Sequence, residues 1–329
     1  MRFIFLIPDL RRDALTHARH LLGPTPLRYL LPKPRMAMSS DFVSGGTLNI
    51  MRHAKIARAL GADAVLATES GRDRYGPRRG IAGVPFIAWS ARRPEDVCIV
   101  PDIYTHQIPQ IQGFAIAYLQ SPSWVRNDFD HTLDRVGLWT DSPFMLEICR
   151  KTYPGKTPSM VPNVIDDQAF PFIPQAQRRQ GELIAFPRKG PEFIDQVYRR
   201  YVSNGGSYWR LNLVHGLPFY KFAARLQTPQ AFLASADVEG CALPPLESMA
   251  AGIVVVGKDA CGANFYMKHR ETAIVADEPN KAAEALATIE KEDVREHLSR
   301  NGYAIAKRWF PQAEPTSFWK SFLAQRAWA

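Results

Sequence analysis

The chain has few cysteines and no long apolar run, and both shortages narrow the classes of protein to which it can belong. Four cysteines occur in 329 residues, and none has a partner at the short spacing of a zinc-binding pair. They predict a reducing compartment, so we expect a cytoplasmic protein. No stretch approaches the ~20 apolar residues of a membrane-spanning helix. The apolar start soon meets Pro8 and Asp9, which indicates a first strand better than a signal peptide.

Positive charge outweighs negative charge, and the excess lies in the first half of the chain. The formal net charge is +9, with 21 Lys and Arg against 14 Asp and Glu in residues 1–165, and 20 against 18 in residues 166–329. Such a surface attracts anionic membranes, phosphorylated substrates or nucleic acid. An ordinary basic surface is the alternative, because net charge reports function weakly.

Short apolar runs alternate with helical patterns along the chain, which predicts an α/β protein with doubly wound sheets. At ~150 residues per domain, the length corresponds to two domains. Pro162, Pro171 and Pro174 favour an extended connector between them. We therefore predict an N-terminal domain over residues 1–165, a C-terminal domain over 166–312 and a final helix over 313–329. The proline-rich residues 11–34 fit no simple unit and indicate an insertion.

The most informative segment is residues 237–257, Asp-Val-Glu-Gly-Cys-Ala-Leu-Pro-Pro-Leu-Glu-Ser-Met-Ala-Ala-Gly-Ile-Val-Val-Val-Gly. Pro244 and Pro245 suit the first turn of a helix, and Gly252 suits its end. The β-branched run that follows is typical of a strand buried on both faces. The segment predicts a loop, a short helix and a strand, with Glu239 before the helix and Glu247 in its first turn.

This segment resembles the C-terminal signature of the retaining nucleotide-sugar glycosyltransferases of the large group 1 family. Their motif is a pair of glutamates separated by seven residues, followed by a small-residue helix and a hydrophobic strand. The resemblance runs in order over residues 44–280, through Ser44-Gly-Gly-Thr47, a Pro-Asn linker at 162–163, Arg188-Lys-Gly190 and the glutamate pair. It implies the GT-B fold, in which two Rossmann-like doubly wound domains face a central cleft and the last helix crosses back to the first domain.

The resemblance implies a nucleotide-diphosphate sugar as the donor, and the residue types suit its parts. Cationic charge must meet the leaving diphosphate, and helix-start glycines let backbone N–H groups approach a phosphate. A carboxylate can accept from two ribose hydroxyls, which we assign to Glu247. Glu239 is the predicted catalytic residue, since it would stabilise positive charge at the anomeric carbon. The predicted donor-binding residues are Gly45, Gly46, Arg188, Lys189, Glu239, Gly240, Cys241, Ala242, Leu243 and Glu247.

The acceptor side is less clearly marked. Its candidates are His106, Gln120, Trp124 and Arg126. Gln120 stands where many relatives carry a histidine, and it can only hydrogen-bond there. Most single histidines lie on the surface or are hydrogen-bonded in the core without a catalytic role, which is the alternative for His106. Trp124 and Arg126 equally suit packing. The turn at residues 261–264 is expected to line the cleft as well.

No metal ion or cofactor is expected. Asp128-Phe-Asp130 has the spacing of a metal-binding acid pair, but no predicted strand leads into it. We therefore expect a retaining, metal-independent hexosyl transferase of polysaccharide biosynthesis, acting on a glycan or lipid-linked acceptor held by the basic N-terminal domain. It would lie in the cytoplasm, peripherally on the inner face of an anionic membrane.

Two alternatives stay open. The same fold can modify nucleic acid, in which case binding would weaken steeply with salt. The chain can also be a non-catalytic relative that binds nucleotide sugars. Gln120 and the adjacent Arg188 and Lys189, which are usually separated in relatives, motivate that second alternative.

Overall fold

The structure is a computed structural model that describes residues 1–9, 44–75, 83–214, 216–217, 219–310 and 313–325. The predicted insertion at residues 11–34 lies outside them. Two parallel sheets, one in each half of the chain, are covered by helices. This arrangement confirms the predicted α/β class with doubly wound sheets.

The N-terminal sheet has the strand order β3-β2-β1-β4-β5-β6-β7. Alternate residues of its first strand enter different buried clusters, with Phe3 and Phe5 on one face and Ile4 and Leu6 on the other. Burial on both faces explains why these strands are continuous apolar runs. The strands are β1 (Arg2–Leu6), β2 (Asp63–Thr68), β3 (Phe86–Ala88), β4 (Val97–Pro101), β5 (Phe114–Leu119), β6 (Val136–Thr140) and β7 (Ser159–Met160).

The C-terminal sheet has the order β9-β8-β10-β11-β12. Its chain order reverses between β8 and β10, so the loops after these two strands leave in opposite directions along the sheet. Open α/β sheets bind ligands beyond the carboxyl ends of strands at such a point. The strands are β8 (Arg179–Ala185), β9 (Arg210–Leu213), β10 (Pro229–Ala234), β11 (Val254–Gly257) and β12 (Ile274–Val275).

Capping chemistry sets several helix ends. The side chains of Ser44 and Ser142 accept the backbone N–H groups of Thr47 and Met145 at 3.2 and 3.1 Å, and Gly252 ends its helix in the left-handed conformation. In the described part of the chain no helix is long and apolar enough to cross a membrane. The helices are α1 (Gly45–Ala59), α2 (Pro143–Thr152), α3 (Pro191–Ser203), α4 (Phe219–Arg225), α5 (Leu243–Ala251), α6 (Pro279–Thr288), α7 (Glu292–Lys307) and α8 (Glu314–Ala324).

The last helix, α8, packs on the N-terminal sheet. The ring of Trp319 lies 5.9 Å from that of Phe3 and 5.7 Å from that of Trp139, and its Nε1 donates to His53 Nδ1 at 3.0 Å. Burial lowers the pKa of His53 to about 3, so the ring is neutral and its Nδ1 can accept. The chain therefore returns to its first half after completing the second.

The linker is anchored to both halves. The N–H of Val164 donates to Asn49 Oδ1 on α1 at 2.8 Å, and the N–H of Ile165 donates to the carbonyl of Trp309, just after α7, at 3.1 Å. Both linker residues are buried. These bonds, together with α8, hold the two sheets in one arrangement.

Candidate functional site

Residues that follow strands of the two sheets meet between the domains. Gly240, after β10, is buried, and its carbonyl accepts a hydrogen bond from Ser142 Oγ, after β6, at 2.5 Å. A Cβ placed on Gly240 would lie 1.9 Å from the carbonyl oxygen of Gln120, after β5. The carboxyl edges of the two sheets therefore face each other, which is where α/β domains hold their ligands.

The loops after β8 and β10 bring a cation and an acid together. Lys189 Nζ lies 2.7 Å from Glu239 Oε2, with the two side chains 40% and 21% exposed. Ser235 Oγ donates to the carbonyl of Lys189 at 2.6 Å and fixes the loop. Gly190 follows with φ 72°, a left-handed turn that leads directly into α3. An ion pair this exposed contributes at most about 1 kcal/mol, so it can part when an anion arrives.

Arg188 differs from its neighbour Lys189 in its contacts. Its side chain is exposed, and it forms no ion pair with any of the residues that the structure describes. The predicted donor loop therefore supplies one cation held against Glu239 and a second that faces solvent.

The glycine pair lies where the start of α1 packs tightly against its neighbours. Gly45 and Gly46 form the first turn of α1. A Cβ on Gly45 would lie 2.9 Å from Leu243 Cδ1, and one on Gly46 would lie 3.0 Å from Gln120 Oε1. The start of α1 therefore touches the start of α5 across the boundary, and side chains there would force the neighbours to move.

Glu247 lies in the second turn of α5, so its predicted place in the first turn was wrong. Its side chain is only 5% exposed, and Oε1 lies 3.5 Å from Nη1 of Arg52 on α1. Burial raises the pKa of Glu247 to about 7, although the nearby Arg52 opposes the rise. The carboxylate is thus a group that titrates near neutrality at the domain boundary.

The loop from Gly240 to Leu243 is braced by the turn after β11. The N–H of Ala242 donates to Asn264 Oδ1 at 2.9 Å, so a protein side chain already occupies this backbone donor. Tyr266 donates its hydroxyl to the carbonyl of Ala242. Asn264 is only 2% exposed, so it shapes the loop instead of lining the cleft. Burial raises the pKa of the Cys241 thiol well above its ordinary value, which keeps it protonated.

The four acceptor-side candidates lie at three different places in the structure. Gln120 lies at the domain boundary between Gly46 and Gly240. Trp124 and Arg126 stack on each other, with the guanidinium 4.4 Å from the ring centroid. His106 is exposed in the 3₁₀ segment Asp102–Gln110, where its ring lies 6.1 Å from that of Tyr104.

Two buried acids at the same sheet edge were missed. Asp102 follows β4 and accepts the N–H groups of Gln120 at 3.1 Å and Ile103 at 2.9 Å. Asp141 follows β6, and its Oδ1 is buried without a hydrogen-bond partner in the described residues. Burial raises the pKa of Asp102 to about 6, and that of Asp141 well above its ordinary value. An acid placed directly after a buried strand was the available signal.

The Asp102→Asn variant should flatten the pH dependence of stability. Because the pKa of Asp102 is raised on folding, its stabilising protonation is complete below about pH 4 and is lost as pH rises through about 6, which lowers stability by about 3 kcal/mol. Urea unfolding between pH 4 and 7 measures this slope, and the hydrogen bond lost in the variant only shifts the curve uniformly.

The exposed Asp134 provides the control, since Asp134→Asn should leave the slope as in the parent. If the stability of Asp102→Asn ran parallel to that of the parent over the whole pH range, the assignment of this pH dependence to Asp102 would be contradicted.

The described residues contain no group of three or more metal-ligating side chains. In the Asp128-Phe-Asp130 loop, Thr105 Oγ1 donates to Asp128 at 3.0 Å and the N–H of Thr132 donates to Asp130 at 2.9 Å. These are the contacts of a polar loop. Metal independence itself stays a prediction.

The whole chain shares its fold with solved glycosyltransferase structures. Sucrose-phosphate synthase from Thermosynechococcus elongatus is 12% identical, with 99% of each chain covered and a TM-score of 0.64. HepE from Anabaena, in complex with UDP and glucose, is 14% identical, with 98% of this chain and 100% of that one covered and a TM-score of 0.57. A glycosyltransferase from Rickettsia africae is 10% identical, with 98% and 99% covered and a TM-score of 0.57.

Residues 214–305 match the family described as Glycosyl transferases group 1. No curated protein sequence matches the chain significantly. The family match contains both Glu239 and Glu247, and the fold extends over both domains. The C-terminal domain is therefore similar in sequence to group 1 glycosyltransferases, and the chain shares the fold of the solved structures named above.

Proposed function

We propose that the chain is a retaining glycosyltransferase that transfers a hexose from a nucleotide-diphosphate donor bound between its two domains, without a metal ion. The observation that carries this proposal is the pairing of Lys189 with Glu239 at the reversal point of the C-terminal sheet. A cation and an acid within 2.7 Å, at the carboxyl edge of a parallel sheet, suit a diphosphate joined to a sugar.

Helix starts reinforce the positive side of this site. Lys189 lies beside the start of α3, and the starts of α1 and α5 touch through Gly45 and Leu243. Helix N-termini carry partial positive charge and present unpaired N–H groups. Their convergence on the loop that carries Glu239 favours a ligand with several negative oxygens.

In the proposed reaction, the bond between the anomeric carbon and the diphosphate oxygen breaks, and an acceptor hydroxyl oxygen bonds to that carbon on the same face. The hydroxyl proton leaves with the departing diphosphate. Lys189 would neutralise the negative charge that builds on the diphosphate, and Glu239 would stabilise positive charge on the sugar. No residue need act as a nucleophile in this scheme.

The acceptor is proposed to be a glycan or lipid-linked molecule held by the basic N-terminal domain. The charge excess in residues 1–165 supports an anionic acceptor, such as a diphosphate-linked lipid at a membrane surface. This would make the protein a peripheral, cytoplasmic enzyme of polysaccharide biosynthesis. HepE, a protein of the same fold, was crystallised with UDP-glucose, which supports a nucleotide sugar as the donor.

Replacing Glu247 with alanine should weaken donor binding about 10- to 100-fold, because a charged acceptor of two ribose hydroxyls is lost. A thermal-shift screen of nucleotide sugars first identifies the donor, since a ligand that binds only the folded state raises the melting temperature. Titration of that donor into the parent and the Glu247→Ala variant then measures the affinities.

Glu296→Ala is the matched control. Glu296 occupies the same fifth position of α7 that Glu247 occupies in α5, and it pairs with Arg300 at 3.4 Å. Unchanged donor affinity in Glu247→Ala would remove the ribose assignment. If no nucleotide sugar raised the melting temperature and none were turned over, the proposed function itself would fail.

A further inference from the structure

Arg52 is a first-domain residue that reaches a buried acid of the second domain, Glu247. It lies on α1, is 6% exposed, and its Nη1 lies 3.5 Å from Glu247 Oε1. The same Nη1 donates to the carbonyl of Val164 in the linker at 2.7 Å, and the guanidinium lies 5.5 Å from the ring centroid of Phe219. Helix, linker and aromatic ring therefore fix the guanidinium in one place.

The guanidinium has hydrogen-bonding capacity to spare. Its Nη2 is buried and has no hydrogen-bond partner among the described residues. A buried, unpaired cationic donor is unfavourable unless an oxygen comes to meet it. The oxygens available are those of the adjacent Glu247 carboxylate and of a ligand bound beside it.

Among the charges around Glu247, Arg52 is the group that lowers the pKa of its carboxyl group. The groups that face this carboxylate are Arg52 from α1, Asp166 from the linker and Tyr266 from the turn after β11. Burial and the Asp166 carboxylate both raise the pKa of Glu247, and Arg52 is the group that lowers it. Without Arg52 the buried carboxyl would take up a proton at a higher pH.

We propose that Arg52 is a positioning residue of the donor site, which holds the Glu247 carboxylate charged and oriented to accept hydrogen bonds from the donor ribose. This inference rests on the proposed function, in which Glu247 contacts that ribose. A neutral carboxyl would keep one oxygen as a donor and would lose most of its power to accept from two hydroxyls. Since Arg52 and Glu247 belong to different domains, the donor contact is complete only while the domains keep this arrangement.

The test is the donor KM as a function of pH in Arg52→Gln and Arg52→Lys. In the parent, donor binding should weaken as pH falls through about 7, where Glu247 takes up its proton. In Arg52→Gln we expect a donor KM about 10-fold higher at neutral pH, kcat within about 3-fold, and this acid limb moved up by about one pH unit. Arg52→Lys keeps the charge, so its acid limb should stay near that of the parent while its KM rises less.

Arg58→Gln is the matched control. Arg58 lies on the same helix and also donates to a backbone carbonyl, that of Ala64 at 3.1 Å, within its own domain. Its KM and pH profile should equal those of the parent. An effect confined to packing would lower the melting temperature in Arg52→Gln without moving the acid limb.

The Arg52→Gln/Glu247→Ala double variant separates this inference from the proposed function. If Glu247 contacts the ribose and Arg52 acts through it, the double variant should bind donor no worse than Glu247→Ala alone. Donor loss in Glu247→Ala with a parental profile in Arg52→Gln overturns the inference and leaves the function standing. Unchanged affinity in Glu247→Ala removes the ribose contact and this inference with it, whereas the proposed function fails only if no nucleotide sugar binds or is turned over. If Arg52→Gln does not fold, Arg52→Lys decides, because a parental KM there refutes the positioning role.

Discussion

Replacing Lys189 with alanine should lower kcat/KM for the donor by about 10²- to 10³-fold, the loss typical of removing one group that stabilises developing negative charge. Lys189 is the cation that the structure places beside Glu239, and its carbonyl is fixed by Ser235. The charge on the diphosphate grows as the sugar bond breaks, so most of the loss should appear in kcat. Steady-state kinetics with the donor found in the thermal-shift screen measure it.

Lys258→Ala is the control for Lys189→Ala. Lys258 also follows a strand, β11, and pairs with Asp237 in the same loop that carries Glu239. Losing that ion pair tests whether the loop merely needs its surface charges balanced. Equal losses in the two variants would contradict a specific role for Lys189.

Glu239→Gln completes the comparison. In the structure Glu239 neutralises Lys189, so removing its charge frees the ammonium for an anion. Binding of a free nucleoside diphosphate should therefore hold or tighten, whereas sugar transfer should fall. Parallel losses of both would indicate that the loop collapses without the ion pair.

The sequence predicted the architecture well because that information is local. Alternating apolar runs and helix patterns mark strands and helices, and the prolines and Gly252 bound α5. The order of the strands is different. β8 and β10 are neighbours because segments far apart in the chain pair with each other, and this pairing brings Lys189 to Glu239. Only the resemblance to a known family suggested that meeting in advance.

Missed site residues share one physical cause. Arg52, Asp102 and Asp141 are polar groups buried by the other elements of the fold, and no local pattern shows how deeply a charge will lie. The same holds for Asn264, whose side chain occupies the N–H of Ala242 across the gap between two loops. Sequence spacing identified loops that meet between the two sheets, and tertiary packing decided which of their backbone groups stay free.

Gly240→Ala should reduce kcat/KM by about 100-fold, although the substitution adds only one methyl group. The new Cβ would lie 1.9 Å from the carbonyl oxygen of Gln120 and 3.2 Å from Met145 Cγ, both on the other domain. Carbon needs more than 3 Å from such atoms, so the two domains must separate there by about 1.5 Å. Displacements of about 1 Å between reacting groups cost enzymes about 100-fold.

The variant should fold, because Gly240 has no left-handed φ and its clash is with another domain. Separation would break the bond from Ser142 Oγ to the Gly240 carbonyl, so amide hydrogen exchange should quicken around Gln120 and Ser142. Gly61→Ala is the opposite control: Gly61 has φ 88° and no atom within 4 Å of a Cβ, so it should cost about 1 kcal/mol of stability and little activity. Parental kinetics in Gly240→Ala would mean that the contact between the domains is not the catalytic arrangement, and that the donor is bound with the two sheets farther apart.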